Sequence, residues 1–134
     1  MGAWGHAAFD NDTALDWISV FEDEGFSAIA DAITYVVTAQ TPSDVEAPEA
    51  EEALAAIAIL RGKLLEDLSE VPEAAREAAQ THWDAIEVSD DLKGHAAAAI
   101  DVILDDGCEL QQLWAETDDF EDWRQRVLHL RSAF

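Results

Sequence analysis

Positive charge is what this chain has least of. Its 134 residues include two lysines, Lys63 and Lys93, and five arginines, and no cation precedes Arg61. A protein that grips nucleic-acid phosphates needs clustered Lys and Arg to displace counterions, so that class is excluded, as is docking on anionic membranes. A secretory leader needs a basic first stretch ahead of an apolar run, and a transit peptide needs arginines. Neither pattern is present, and the expected compartment is the cytoplasm. The opening Met1-Gly2 lacks the Ser or Thr that myristoylation wants at position six, where His6 stands. Cys108 is the sole cysteine, which excludes an internal disulfide framework and any multi-cysteine metal site and leaves an expected reduced thiol. No run of about eighteen apolar residues offers a membrane span.

What the chain does have is acid and grease. Thirty Asp and Glu give a formal net charge of -23, while 49% of the residues are hydrophobic. That mixture belongs to a folded domain, and the length suits a single one over 1–134. The charge is not a tail. Residues 1–67 hold fourteen acids and two bases, and 68–134 hold sixteen acids and five bases. An anionic coat of this kind serves solubility or salt tolerance, or it meets a basic partner, including by mimicry of DNA charge.

The dominant period is helical. Beyond Asp10-Asn11-Asp12, which can cap a helix, Ala14, Trp17, Ile18 and Phe21 share one face. Gly25 breaks the run, and Phe26, Ile29, Ala30, Ile33, Val36 and Val37 form a second stripe. Residues 40–49, with Pro42, Pro48 and three acids, read as a short flexible connection. A third helix is expected from about Glu49 through Leu54, Ile57, Leu60, Leu64 and Leu68. A fourth follows Pro72 through Ala75, Ala78, Ala79, His82, Trp83 and Ile86. Ser89 opens a fifth bearing Leu92, Ala96, Ala99, Ile100 and Ile103, with Gly107 as a left-handed stop. A short helix carries Leu110, Leu113 and Trp114, and a last one carries Phe120, Trp123, Val127 and Leu130. The expected fold is all-α: a compact single-domain bundle of six or seven short helices behind an extended aromatic arm, residues 1–10.

Helical periodicity does not explain the opening itself. Met1-Gly2-Ala3-Trp4-Gly5, then Phe9-Asp10-Asn11-Asp12, then Asp16-Trp17 resembles the signature of a mostly bacterial family, the domain of unknown function 4259. A weaker echo is Cys108-Glu109-Leu110 ahead of Leu113-Trp114. Ala7 stands where that family often has Gly, and Cys108 where it has Ser, which implies a weaker helix cap there. The resemblance implies no activity.

The arm and first helix are the candidate binding site: Trp4, His6, Phe9, Asp10, Asn11, Asp12, Asp16 and Trp17. Trp4 and Phe9 can pin the arm to the bundle while Asp10, Asn11 and Asp12 satisfy free helix amides. Alternatively, Asp12 and Asp16, one turn apart, can share a cation or hold one carboxyl at a raised pKa. The calcium-loop pattern fails for want of its Gly and terminal Glu. Asp91 and His95 share a helix face, but such a pair is ordinarily an ion pair or a cap. His82 reads as a hydrogen-bonded core histidine, while His6 and His129 have no identifiable partner. Cys108 sits among Asp105, Asp106 and Glu109, which disfavour a thiolate. No nucleophile elbow, phosphate loop or dinucleotide fingerprint occurs. No catalytic residue, metal ligand or cofactor is assigned. The leading expectation is a non-catalytic acidic interaction module whose partner is a basic protein, in one form an immunity or antitoxin role against a basic nuclease. The alternative is a small-molecule or divalent-metal-dependent binder or enzyme built on Asp10, Asp12, Asp16 and His6.

Overall fold

The computed structural model describes residues 5–134. Seven α-helices form among them: α1 (Asp12–Glu24), α2 (Phe26–Val37), α3 (Ala47–Leu65), α4 (Glu73–Thr81), α5 (Asp90–Ile103), α6 (Glu109–Ala115) and α7 (Phe120–Arg131). Short 3-10 turns at Pro42–Asp44 and Trp83–Ala85 complete the set. The all-α expectation holds. Trp4 lies outside the described residues.

The helix α3 is the axis. Ala50, Ala53, Ala55, Ala56, Ile57, Ile59 and Leu60 are all fully buried, so it is covered on every side rather than along one stripe. A helix apolar all round belongs inside a bundle, and its alanines let neighbouring axes approach closely. Its neighbours are α1, α2, α5, α6 and α7, with α4 packed on α1 and α5 also touching α7. Glu109 at the start of α6 reaches across 62 positions to accept the Ala47 backbone N–H at 3.0 Å, closing one of the free amides that begin α3.

The stripes of α1 and α5 are those the sequence announces. Ala14, Trp17, Ile18 and Phe21 are the buried residues of α1. Leu92, Ala96, Ala99, Ile100 and Ile103 are those of α5, whose cap is the Ser89 hydroxyl accepting from Leu92 N–H at 3.1 Å. Elsewhere boundaries move. The connection at 40–49 is shorter and more structured than its composition suggests: Thr41 and Asp44 cap each other around the 3-10 turn, Val45 is fully buried, and α3 already begins at Ala47. At its other end α3 stops at Leu65, because Glu66 turns left-handed (φ 54°, ψ 39°) and the chain folds back until Leu68 covers Gly62. A β-carbon on Gly62 would overlap the end of the Leu68 side chain, which would have to shift to admit it. The fourth helix ends at Thr81, and Trp83 falls in the following 3-10 turn. Gly107 does not adopt a positive φ. The chain there is turned by Asp105, whose Oδ1 accepts the Gly107 N–H at 2.9 Å.

The second half of the core is aromatic. Trp114 and Trp123 stack across α6 and α7 with centroids 6.0 Å apart and planes within 10°. Such a pair adds about 1 kcal/mol beyond the area it buries. Arg131 holds α7 to α5 by two bonds to the Asp101 carboxylate, 2.8 and 3.1 Å. No helix among the described residues is long and apolar enough to cross a membrane.

Candidate functional site

The arm folds into a tight turn before α1. Asp10 N–H donates to the Ala7 carbonyl at 3.0 Å, and the Asp10 carboxylate accepts from Ala7 N–H at 3.3 Å. That carboxylate lies so close to Gly5 that a β-carbon there would overlap it. Asn11 is 7% exposed and works in both directions: Oδ1 accepts the Ala14 N–H at 2.7 Å, and Nδ2 donates to the Ala8 carbonyl at 3.2 Å. Phe9 and Trp17 are buried in the core, Trp17 stacked on Phe21. Asp12 and Asp16 are exposed on α1. Among the eight residues the sequence singles out, Phe9, Asp10, Asn11 and Trp17 are thus engaged in holding the arm and the first helix. Among the described residues, no group of three or more His, Cys, Asp or Glu is placed to share an ion.

The arm is nevertheless one wall of a cleft. The opposite walls come from α3, the α3–α4 connection, α6 and α7, with an apolar lining that includes Leu54, Ala58, Leu110, Trp114, Trp123 and Val127. Polar groups converge on it. His6 and Asn11 enter from the arm, Glu51 and Arg61 from α3, Asp67 and Glu70 from the connection, and Arg126 and His129 from α7. Arg61 donates from Nη1 to Glu70 at 2.5 Å, and its Nη2 lies 3.2 Å from His129 Nε2. His129 Nε2 is in turn 3.5 Å from the same Glu70 carboxylate. Two buried nitrogens in this lining, His6 Nδ1 and Arg61 Nε, have no hydrogen-bond partner among the described residues. Burial pushes the Glu51 carboxyl above the usual glutamate range, with the charge of Asp12 acting in the same direction.

A second concavity lies across α3, between α1, α2 and the first turns of α3. Trp17, Val20, Ala28, Ala32 and Tyr35 give it an apolar floor, and Glu24, Asp31, Glu49 and Glu52 give it an acidic rim. Among the described residues no Lys, Arg or His lines it. Val20 is 41% exposed and Tyr35 52%, both high for large apolar side chains. Glu49 Oε2 is buried without a partner among the described residues. Burial, reinforced by the neighbouring Glu49 charge, pushes Glu52 above its ordinary range.

Sequence reasoning places His6 and Asn11 at the first site but misses Arg61, Glu70, Arg126 and His129, which come from three separated segments with no shared spacing. It misses the groove because Glu49 and Glu52 look like any other acids in a chain with thirty. The two sites divide the chain's electrostatics. The cleft holds two of the five arginines and two of the four histidines, while the groove holds acid alone.

Comparison with known proteins returns one family. No curated protein and no solved structure matches the chain. A family model described as a domain of unknown function, DUF4259, matches residues 2–126. That span covers the arm, six helices and the first half of α7, so the chain belongs to the DUF4259 family.

Proposed function

We propose that this protein is a non-catalytic interaction module whose α1–α2–α3 groove receives a basic, amphipathic segment of a partner protein. The observation that carries the reading is the groove's composition: four carboxylates around an apolar floor, with no Lys, Arg or His among the described residues that line it. Uncompensated like charges held together cost free energy, and a partner bearing Lys or Arg relieves it on docking. Tyr35 and Val20 supply the contact area that a charge pair alone lacks. The net charge of -23 steers a basic partner toward the surface from a distance. A bacterial cytoplasmic setting and an immunity or antitoxin role against a basic enzyme fit this reading.

The test is fluorescence anisotropy with a labelled helical Leu/Lys peptide, against a Leu/Glu peptide of identical pattern. The expected outcome is saturable binding of the basic peptide alone, weakened by added salt and by Glu49→Gln/Glu52→Gln. The control Glu73→Gln/Glu77→Gln removes equal charge from the exposed face of α4 and should leave affinity nearly unchanged. Equal losses in the two double variants would reduce the interaction to bulk charge attraction and defeat the proposal.

A further inference from the structure

The cleft behind the arm has different chemistry from the groove. Its unsatisfied groups are two nitrogens, Arg61 Nε and His6 Nδ1. Arg61 has only N–H groups to offer; Nη1 is given to Glu70 and Nη2 faces His129, which leaves a buried Nε–H with no acceptor. Arg61 is also well shielded, its side chain 14% exposed, so water does not readily substitute. A buried donor left without an acceptor costs about 1–3 kcal/mol, so such a group selects a ligand that brings an acceptor oxygen. His6 Nδ1, likewise buried and without a partner, can donate to the same kind of atom in the appropriate tautomer. Arg126, exposed on the α7 wall, forms no ion pair among the described residues and presents a whole guanidinium fork. Three acids share the lining: Glu70 is held by Arg61 and faces His129, burial pushes the Glu51 carboxyl above its ordinary range, and Asp67 accepts the Ser69 N–H, so among the described residues none of them takes the Arg61 Nε–H or pairs with Arg126.

Around these nitrogens much of the lining is apolar, and the stacked Trp114–Trp123 pair contributes to it. Apolar walls with a few convergent polar groups are the usual form of a small-molecule site. We infer that the cleft between the N-terminal arm, α3, α6 and α7 binds a small organic monocarboxylate, its apolar or aromatic body against Trp114 and Trp123 and its carboxylate taken by Arg126 and the donors of Arg61 and His6. The site is on the other side of α3 from the groove and does not depend on its partner. Its salt response is also opposite in sign. The surrounding acids repel an approaching anion, so screening by added salt should leave carboxylate binding unchanged or improve it, where it weakens a basic peptide.

The experiment is a two-dimensional ¹H–¹⁵N titration of the full chain with indole-3-acetate, benzoate and hexanoate. Indole-3-acetamide and tryptamine serve as the neutral and cationic counterparts. The indole N–H signals of Trp114 and Trp123 should move on adding a carboxylate, and further than that of Trp83, which does not line the cleft. Indole-3-acetate should bind about tenfold more tightly than its amide. Arg126→Gln, at an exposed position, should weaken the carboxylate and leave the amide unaffected. Arg61→Lys, which keeps the charge near Glu70 but removes the Nε–H, should weaken it too. Ala58→Phe, which fills the cleft, should abolish binding with the rest of the spectrum preserved. If Arg61→Lys or Ala58→Phe loses spectral dispersion, Arg126→Gln decides. Amide or amine binding as tight as the carboxylate, indifference of the carboxylate to Arg126→Gln, or no movement of Trp114 and Trp123 at millimolar ligand would each overturn the assignment.

Discussion

The imidazole of His82 lies directly against Gly25. Its Nε2 donates to the Glu22 carbonyl at 2.9 Å, and a β-carbon built on Gly25 would meet its Nδ1 at 2.9 Å. Gly25 is the corner between α1 and α2, with φ 67° and ψ -140°, a conformation that L side chains rarely adopt. The histidine thus fastens the end of α4 to the corner that angles the two helices, and those helices form two walls of the acidic groove. It is half-buried at the edge of the bundle rather than in its centre.

Gly25→Ala should destabilise the fold by about 2–3 kcal/mol, the sum of backbone strain and displacement of His82. His82→Ala, which removes the ring and keeps the glycine, should cost less, about 1–2 kcal/mol for the lost bond and packing. Chemical denaturation of both variants checks the order. Equal stability of Gly25→Ala and the parent would refute the corner's role.

Asn11 holds the arm and starts α1 at once. Asn11→Ala should cost about 1–2 kcal/mol, the range for an N-cap that is also a buried bonding group. Asn11→Asp keeps the acceptor for Ala14 N–H but loses the donor to the Ala8 carbonyl, and should cost less. Thermal melts at constant pH measure both.

Cys108 is fully buried at the start of α6, and burial pushes its thiol above the ordinary range, opposed by amide bonds from Leu110 and Gln111 and helped to a smaller degree by Glu109 and Asp105. A thiol reagent added to native protein should react only as fast as the segment opens, and at the ordinary free-thiol rate in denaturant. Rapid labelling of native protein would contradict the packing of α6.

Stability should rise as pH falls from 8 toward 5. Glu51 and Glu52 are both pushed up by burial, so the folded state binds their protons more tightly than the unfolded chain does. Their contribution is fully present below the ordinary glutamate value of 4.5 and is lost as pH rises through the raised folded values. Asp67 has the opposite sign, held low chiefly by its hydrogen bonds to Ser69, and its contribution goes only when pH falls below the ordinary 3.8. Glu51→Gln/Glu52→Gln should therefore raise the midpoint of thermal unfolding at pH 7 and flatten its pH dependence. A parent midpoint that falls on acidification to pH 5 would show that neither carboxyl is held up.

The fold is legible in the sequence wherever one helix face meets one core. For α1 and α5 the apolar spacing names the buried residues without error, Ser89 marks the start of α5, and the α1 cap is narrowed to Asp10, Asn11 or Asp12, of which Asn11 is the one used. Legibility fails where the deciding contact is remote. The end of α3 depends on Leu68 folding back over Gly62, and its beginning on Glu109, 62 positions away. Ala28, buried between helices, has too small a side chain to stand out in a stripe. The sites follow the same rule. His6 and Asn11 are visible because a dense local motif contains them. Arg61, Arg126 and His129 gain meaning only when α3 and α7 cross, and the groove acids only when α2 sets Tyr35 beside them.

On the proposed function, a basic partner lands in the α1–α2–α3 groove. Backbone amide shifts of the full chain, titrated with the Leu/Lys peptide at low salt, locate it directly. The predicted result is a contiguous set of perturbations around Val20, Ala28, Ala32, Tyr35, Glu49 and Glu52, reversed by added salt and absent from the Glu49→Gln/Glu52→Gln variant. Perturbations scattered evenly over α4, α5 and α7, or unchanged in that variant, would contradict it.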